Sequence, residues 1–282
     1  MSLWRFWRTH ILGVALSVIA CSAGLKAQAN KPFIIVASTT STQDSGLFDY
    51  ALPKFEKKTG IDVRVIAVGT GQAIDIARRG DADVLFVHHK PSEEKFVAEG
   101  QGVKRYPVMW NDFIIVGPRS DPAHIKGLKN AVKAFASIAK AKATFASRGD
   151  DSGTNKKELE LWEAAGINVE QASGAWYREL GQGMGPTLNS AAAMNAYTLS
   201  DRGTWIAFNN RQTLGILVQG GPNLVNQYGV ILVNPKKHPD VKVKEGQEFI
   251  DWLVSKEGQR VIGSYKLKGQ QLFHPNANDP DA

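Results

Sequence analysis

The chain has 282 residues, 43% of them hydrophobic and 22% charged, with a formal net charge of +7. Those proportions belong to an ordinary globular protein with material for one large core or two smaller ones, and they exclude a disordered or fibrous chain. A single cysteine, Cys21, excludes a disulfide-stapled scaffold, and the mild basicity lacks the clustered Lys and Arg of a nucleic-acid partner.

Arg5 and Arg8 precede an apolar run from Ile11 to Leu25, and Ala27 and Ala29 follow it. A positive start, a short apolar stretch and an A-x-A site read as a secretory signal peptide over residues 1–29, too short for a comfortable membrane span. Cleavage after Ala29 is expected, leaving a soluble periplasmic product. Loss of Arg5, Arg8 and Lys26 with no acid lowers +7 to +4. The competing reading is "VIAC" at residues 18–21, which resembles a lipobox and would anchor the protein as a lipoprotein through Cys21.

"FIIVAS" (33–38) is a continuous apolar run, as expected of a buried parallel strand. "GLFDYALPKFEKKTG" (46–60) puts Leu47, Phe48, Ala51, Leu52 and Phe55 on one helical face, with Pro53 expected to kink or split the helix and Gly60 to cap it. "IDVRVIAVG" (61–69) reads as a strand, "QAIDIARRGDA" (72–82) as a helix and "DVLFVH" (83–88) as a third strand. "FIIVGPRSDP" (113–122) is a strand entering a turn-rich connection, followed by helical "GLKNAVKAFASIAKAK" (127–142), strand "ATFAS" (143–147) and a helix over 154–165. "NSAAAMNAYTLSDRG" (189–203) predicts a helix, followed by "TWIAF" and "LGILVQ". "GVILVNP" (229–235) repeats the pattern of "FIIVGP", and "GQEFIDWLVSKEGQRVIGSY" (246–265) predicts one amphipathic helix that buries Phe249, Ile250, Leu253 and Val254.

Alternating strands and helices predict a parallel α/β sheet. Two similar strands flanking a middle α/β block suggest a chain that crosses from one lobe to another and returns. The expected lobes are residues 31–117 with 230–282, and residues 118–229, with a ligand in the cleft between them. A single doubly wound sheet is the competing arrangement.

Three strand-to-helix junctions are rich in Ser, Thr and Gly: "ASTTSTQDSG" (37–46), "VGTGQA" (68–73) and "SRGDDSGT" (147–154). Free N–H groups and the positive helix end suit such junctions to anions; glycine admits close approach and hydroxyls add neutral donors. Any one of them alone reads as a helix cap. Three together, one with an arginine, point to a site. These loops, with "GDADVL" (80–85) and "YTLSDRGTW" (197–205), resemble those of the tungstate-binding proteins of bacterial tungstate ABC importers, over about Phe33 to Phe273. The resemblance implies the two-lobed type II periplasmic binding protein fold, an oxyanion held between the lobes, and importer membrane subunits as partners. The family's hydroxyl-rich loop maps onto Ser38, Thr39, Thr40 and Ser41, which read STTS where the family has TTTS. Its arginine loop maps onto Arg148, followed by Ser152, Gly153 and Thr154. Thr70 is expected to add a donor from the second junction. Asp150 and Asp151 are expected behind the site, capping N–H groups and holding the Arg148 guanidinium, because a carboxylate touching the oxyanion would repel it.

Rival readings are weaker. "VGTGQAI" (68–74) has Ile74 where a dinucleotide fingerprint has its third glycine, which leaves a distant oxidoreductase alternative. "SEEK" (92–95) and "KTG" (58–60) occur in the wrong order for a penicillin-interacting serine enzyme. His88 and His89 would point to opposite faces of a strand and cannot easily share a metal. Trp110, Trp176, Tyr197 and Trp205 read as packing residues. Among binding proteins, molybdate and sulfate share tungstate's acceptor-only oxygens, whereas phosphate keeps a proton that needs an acceptor. The reading is a monomeric binding protein without catalysis, cofactor, protein-coordinated metal or nucleic acid.

Overall fold

The structure, a computed structural model, describes residues 31–279; the signal-peptide and Cys21 readings fall outside them. The elements run β1 (Phe33–Thr39), α1 (Thr40–Asp44), α2 (Leu47–Thr59), β2 (Asp62–Val68), α3 (Thr70–Arg79), β3 (Val84–Val87), α4 (Lys90–Ala98), β4 (Gly102–Pro118), α5 (Ala131–Ala141), β5 (Phe145–Ser147) and α6 (Gly153–Ala164). There follow β6 (Tyr177–Glu179), α7 (Met184–Met194), β7 (Thr198–Asp201), α8 (Arg202–Ala207), β8 (Leu214–Val218), β9 (Val225–Val233), α9 (Val243–Val254) and α10 (Lys256–Ser264). In the main sheet β4 lies beside β9, then β3, β1 and β2; β1 pairs parallel with both β2 and β3, while β9 runs antiparallel to β3 and β4.

The 17-residue β4 organises the molecule. From Gly102 to Asp112 it pairs with β9; from Phe113 to Pro118 it pairs with β7 and β8. Packing changes at the same place. Val108 and Met109 join a core with Val36, Phe55, Phe86, Tyr228 and Phe249. Phe113 and Ile115 join Phe135, Phe145, Trp162 and Leu217, while Ile114 and Val116 turn to Leu188 and Trp205. That split follows the two-residue alternation of a strand with both faces covered. β4 thus carries the chain from one core to the next at Asp112–Phe113, and β9 brings it back from Val225 onward.

Three expected elements differ. Pro53 does not split α2, because it and Asp49, whose carbonyl its missing N–H would have served, both lie on the exposed side. The helix expected over 189–203 ends at Met194; Asn195 is left-handed (φ 49°), β4 recruits Thr198–Asp201 as a strand, and "TWIAF" is mostly helical in α8. The tail helix breaks at Ser255, which is extended and caps α10 by accepting the Gly258 N–H at 3.1 Å. No helix among the described residues is long and apolar enough to cross a membrane.

Candidate anion-binding site

β1 leads without a loop into α1. Thr39 is the N-cap: its hydroxyl accepts the Thr42 N–H at 3.3 Å and lies 3.2 Å from Ser41 Oγ and 2.7 Å from Thr42 Oγ1. Thr40 opens the helix half-buried; Ser41 and Thr42 are buried. Ser38 departs from its expected role. Its hydroxyl donates to the Phe86 carbonyl at 2.6 Å, across the register of β1 with β3, so its proton is used inside the sheet.

The second junction places buried Thr70 at the head of α3, where its hydroxyl accepts the Gly153 N–H of the third junction at 2.8 Å. Gly153 is needed there for space: a Cβ would stand 2.9 Å from His88 Cε1 and 3.0 Å from Thr70 Oγ1. Gly71 N–H reaches the Asp151 carbonyl at 3.3 Å. The first three strand-to-helix turns of the sheet and the head of α6 therefore meet at one place.

Arg148 lies there with its side chain 2% exposed. Its Nε and Nη2 both donate to Asp150 Oδ2, at 3.2 and 2.6 Å, and Asp150 Oδ1 accepts the Ser152 N–H at 3.3 Å. Ser152 caps α6 by accepting the Asn155 N–H at 3.2 Å. Asp150 thus holds the arginine. Asp151 does not: left-handed at φ 55°, it turns Oδ1 to Lys156, while its other carboxylate oxygen lies against Gly71 and its carbonyl accepts the Gly71 N–H. Thr154 Oγ1 is buried and has no hydrogen-bond partner among the described residues. Behind the loop, Glu158 accepts from Ser147 Oγ (2.8 Å), Trp162 Nε1 (3.1 Å) and Tyr177 Oη (2.8 Å); burial pushes its carboxyl up to about 7.

Two further groups were missed by the sequence reading. His88 was read as a strand-end structural residue rather than a metal ligand; it is buried, with Nε2 2.9 Å from Ser41 Oγ, Nδ1 3.1 Å from Asn226 Oδ1, and its ring stacked on Tyr228 at 4.8 Å. Its neighbour His89 does face the other way, toward Ser92 and Glu160. Asp201 caps α8, taking the Thr204 N–H and hydroxyl at 2.8 Å each. The D-x-x-T spacing was legible as a cap but was absorbed into the expected helix. The Arg148 charge bears on Asp44, Asp201 and His88 alike. Burial raises both carboxyls while the guanidinium lowers them, and burial drives His88 down to about 4, the guanidinium adding to it.

The enclosure is therefore one guanidinium among neutral hydroxyls and helix-head N–H groups, with its nearest carboxylate already bonded. A cleft of about 280 Å³ lined by His88, His89, Lys157 and Glu160 borders it and shares Gly153. Helix-head N–H groups and neutral hydroxyls around a buried guanidinium are a geometry for holding an anion.

A model of the PBP superfamily domain matches residues 24–257. The tungstate-binding protein TupA of Peptoclostridium acidaminophilum is 48% identical over 280 residues, covering 95% of this chain and 96% of its own length. Among solved structures, the tungstate-binding protein TupA from Desulfovibrio alaskensis G20 is 43% identical with a TM-score of 0.76, covering 88% of this chain and 100% of its own. The structure described as the tungstate ABC transporter from Geobacter sulfurreducens is 51% identical with a TM-score of 0.74, covering 83% of this chain and 98% of its own. With these likenesses the α/β fold is the two-lobed one expected from the sequence.

Proposed function

This chain belongs to the PBP superfamily, and from that premise we propose that it is a non-catalytic binding protein that captures tungstate between its two lobes and passes it to the membrane subunits of an ABC importer. The observation that supports the reading is buried Arg148 in a junction whose Gly153 meets Thr70 and the Ser41-bonded His88, with Thr154 Oγ1 lacking a partner among the described residues. A tetrahedral oxyanion whose oxygens only accept is the complement of such a set. Asp150 and Asp201 have their oxygens engaged by Arg148, Ser152 and Thr204, so neither is aimed to take a proton from hydrogen phosphate. Tungstate is preferred to molybdate or sulfate because the similar proteins above are tungstate-binding proteins.

The proposed lobe boundaries are Asp112–Phe113, where β4 changes partners, and near Val225, where β9 begins. Arg148, Ser152, Gly153 and Thr154 contribute from one lobe and Thr39, Thr40, Ser41 and Thr70 from the other. The protein acts in the periplasm as a monomer, exported on the strength of the reading of residues 1–29. Calorimetric titration with tungstate, molybdate, sulfate and phosphate tests the proposal. Tungstate should give saturable heat at one site per chain, and no heat with any of the four anions overturns it.

A further inference from the structure

The hydrogen bond between Ser41 and His88 has a fixed direction. Asn226 Nδ2 donates to Asn111 Oδ1 at 2.7 Å, which leaves the Asn226 oxygen facing His88 Nδ1 at 3.1 Å. An amide oxygen only accepts, so Nδ1 carries the proton and Nε2 of the neutral ring is a bare acceptor. Ser41 Oγ lies 2.9 Å from that nitrogen and donates to it. A hydroxyl whose proton is held by His88 turns lone pairs, not hydrogen, toward an incoming oxyanion, the wrong polarity for binding.

Charge points the same way. Arg148 is already bonded to Asp150, and buried Asp201 and exposed Asp44 lie in its field. A dianion brings two negative charges into this enclosure, and buried charge without a counter-charge is costly. The charged and titratable groups that bear on His88 are Arg148 from the β5–α6 junction, the adjacent His89, and Tyr228 of β9, whose phenol burial keeps protonated. Burial and the Arg148 charge both favour a neutral ring, and a dianion beside Ser41 opposes both.

Resting on the oxyanion reading above, we propose that the anion binds together with one proton, taken from solvent at His88 Nε2. The imidazolium keeps its Nδ1–H on Asn226 and donates Nε2–H to Ser41 Oγ, and Ser41 turns its own proton to an anion oxygen. One protonation supplies a second cation and converts Ser41 from acceptor to donor. His88 is a positioning residue here, acting through Ser41.

The test is calorimetry of the full chain with sodium tungstate near about pH 7.5, in buffers of different ionisation enthalpy such as Tris and Hepes. The observed heat should change with buffer by an amount equivalent to about one proton taken up, and affinity should fall by up to about tenfold per pH unit as pH rises. His88→Gln, whose amide nitrogen can donate to Ser41 without titrating, should bind tungstate with neither buffer nor pH dependence. Long-range ¹H–¹⁵N spectra of the wild type should show the Nδ1–H tautomer before tungstate and two protonated ring nitrogens after it. Identical heats in all buffers, or a bare Nε2 in the complex, overturn the proposal while leaving tungstate binding intact. Absence of heat in every buffer overturns the tungstate reading and this one with it. If His88→Gln fails to fold, the wild-type buffer series and spectra decide alone.

Discussion

Arg148 and the two aspartates that follow it separate touching an anion from supporting the group that touches it. The planar guanidinium can span two ligand oxygens, and Arg148→Ala should weaken tungstate binding by about 2–5 kcal/mol, as for removal of one partner of a buried charge pair. Arg148→Lys should recover only part of that, because an ammonium lacks the fork. The aspartates should differ sharply. Asp150 accepts both guanidinium bonds, so Asp150→Asn should cost about 10–100-fold in affinity. Asp151 pairs outside with Lys156, so Asp151→Asn should stay within about threefold, well under 1.4 kcal/mol. Calorimetry on the four variants checks the series, and equal losses from both aspartates would refute it. Glu158, beneath the same loop, makes a prediction about stability. Its folded pKa of about 7 lies above the unfolded value of 4.5, so the folded state binds more protons between the two. Its contribution is fully present below about pH 4.5 and is lost as pH rises through about 7, an effect on the order of 3 kcal/mol. Urea melts across that range should show the fall, and Glu158→Gln should flatten it.

At the scale of elements, the periodic segments were legible and the breaks between them were not. β1, β3 and α6 were read within a residue and α3 within three, because an apolar run or a helical stripe is a local property of the chain. The split of the tail was hidden because the apolar spacing continues across Ser255, and only its cap, a serine accepting the Gly258 N–H, marks the break. The strand over Thr198–Asp201 was hidden because its cause is remote: alanine-rich neighbours favour helix, and only pairing with Phe113–Val116 of β4 overrides them. The site divides likewise. Loop composition identified Arg148, Asp150, Thr70 and Gly153, but not the loss of Ser38 to Phe86 or the approach of His88 to Ser41, both of which depend on how β1 and β3 align. α2 offers a test at this scale. Pro53 sits inside the helix on its exposed side, so Pro53→Ala should restore an N–H to the Asp49 carbonyl and lose little packing. A gain of about 1–3 kcal/mol is expected, read as a higher melting temperature, since proline in a helix interior costs about 3 kcal/mol relative to alanine. An unchanged or lower melting temperature would show that α2 depends on the proline.

Across the whole molecule, the contacts that join the two proposed lobes through the site are few and specific. Gly153 N–H bonds Thr70 Oγ1 at 2.8 Å, Gly71 N–H bonds the Asp151 carbonyl at 3.3 Å, and His89 Nε2 lies 2.9 Å from Glu160 Oε1 at the cleft. Away from the site α8 also packs on the first lobe through Ile206, and Lys268 Nζ donates to Asn209 Oδ1 at 2.8 Å; β4 and β9 carry the chain across, and two crossing strands are a natural hinge. These bonds describe a shut arrangement, and an anion held by donors of both lobes favours it only by its differential affinity for that state. Small-angle scattering should therefore show a smaller radius of gyration with saturating tungstate than without. Gly153→Ala isolates the effect. The backbone of Gly153 is helical and the residue lies at the head of α6, so alanine is conformationally acceptable and both cores stay intact. The added methyl would stand 2.9 Å from His88 Cε1 and 3.0 Å from Thr70 Oγ1, closer than packed carbon atoms tolerate. It acts as a wedge where the lobes meet. The variant should melt like the wild type, keep the larger radius when tungstate is added, and bind at least about tenfold more weakly, a loss of about 1.4 kcal/mol. Closure of Gly153→Ala to the wild-type radius at wild-type affinity would mean that the contact between Thr70 and Gly153 is not part of the bound state.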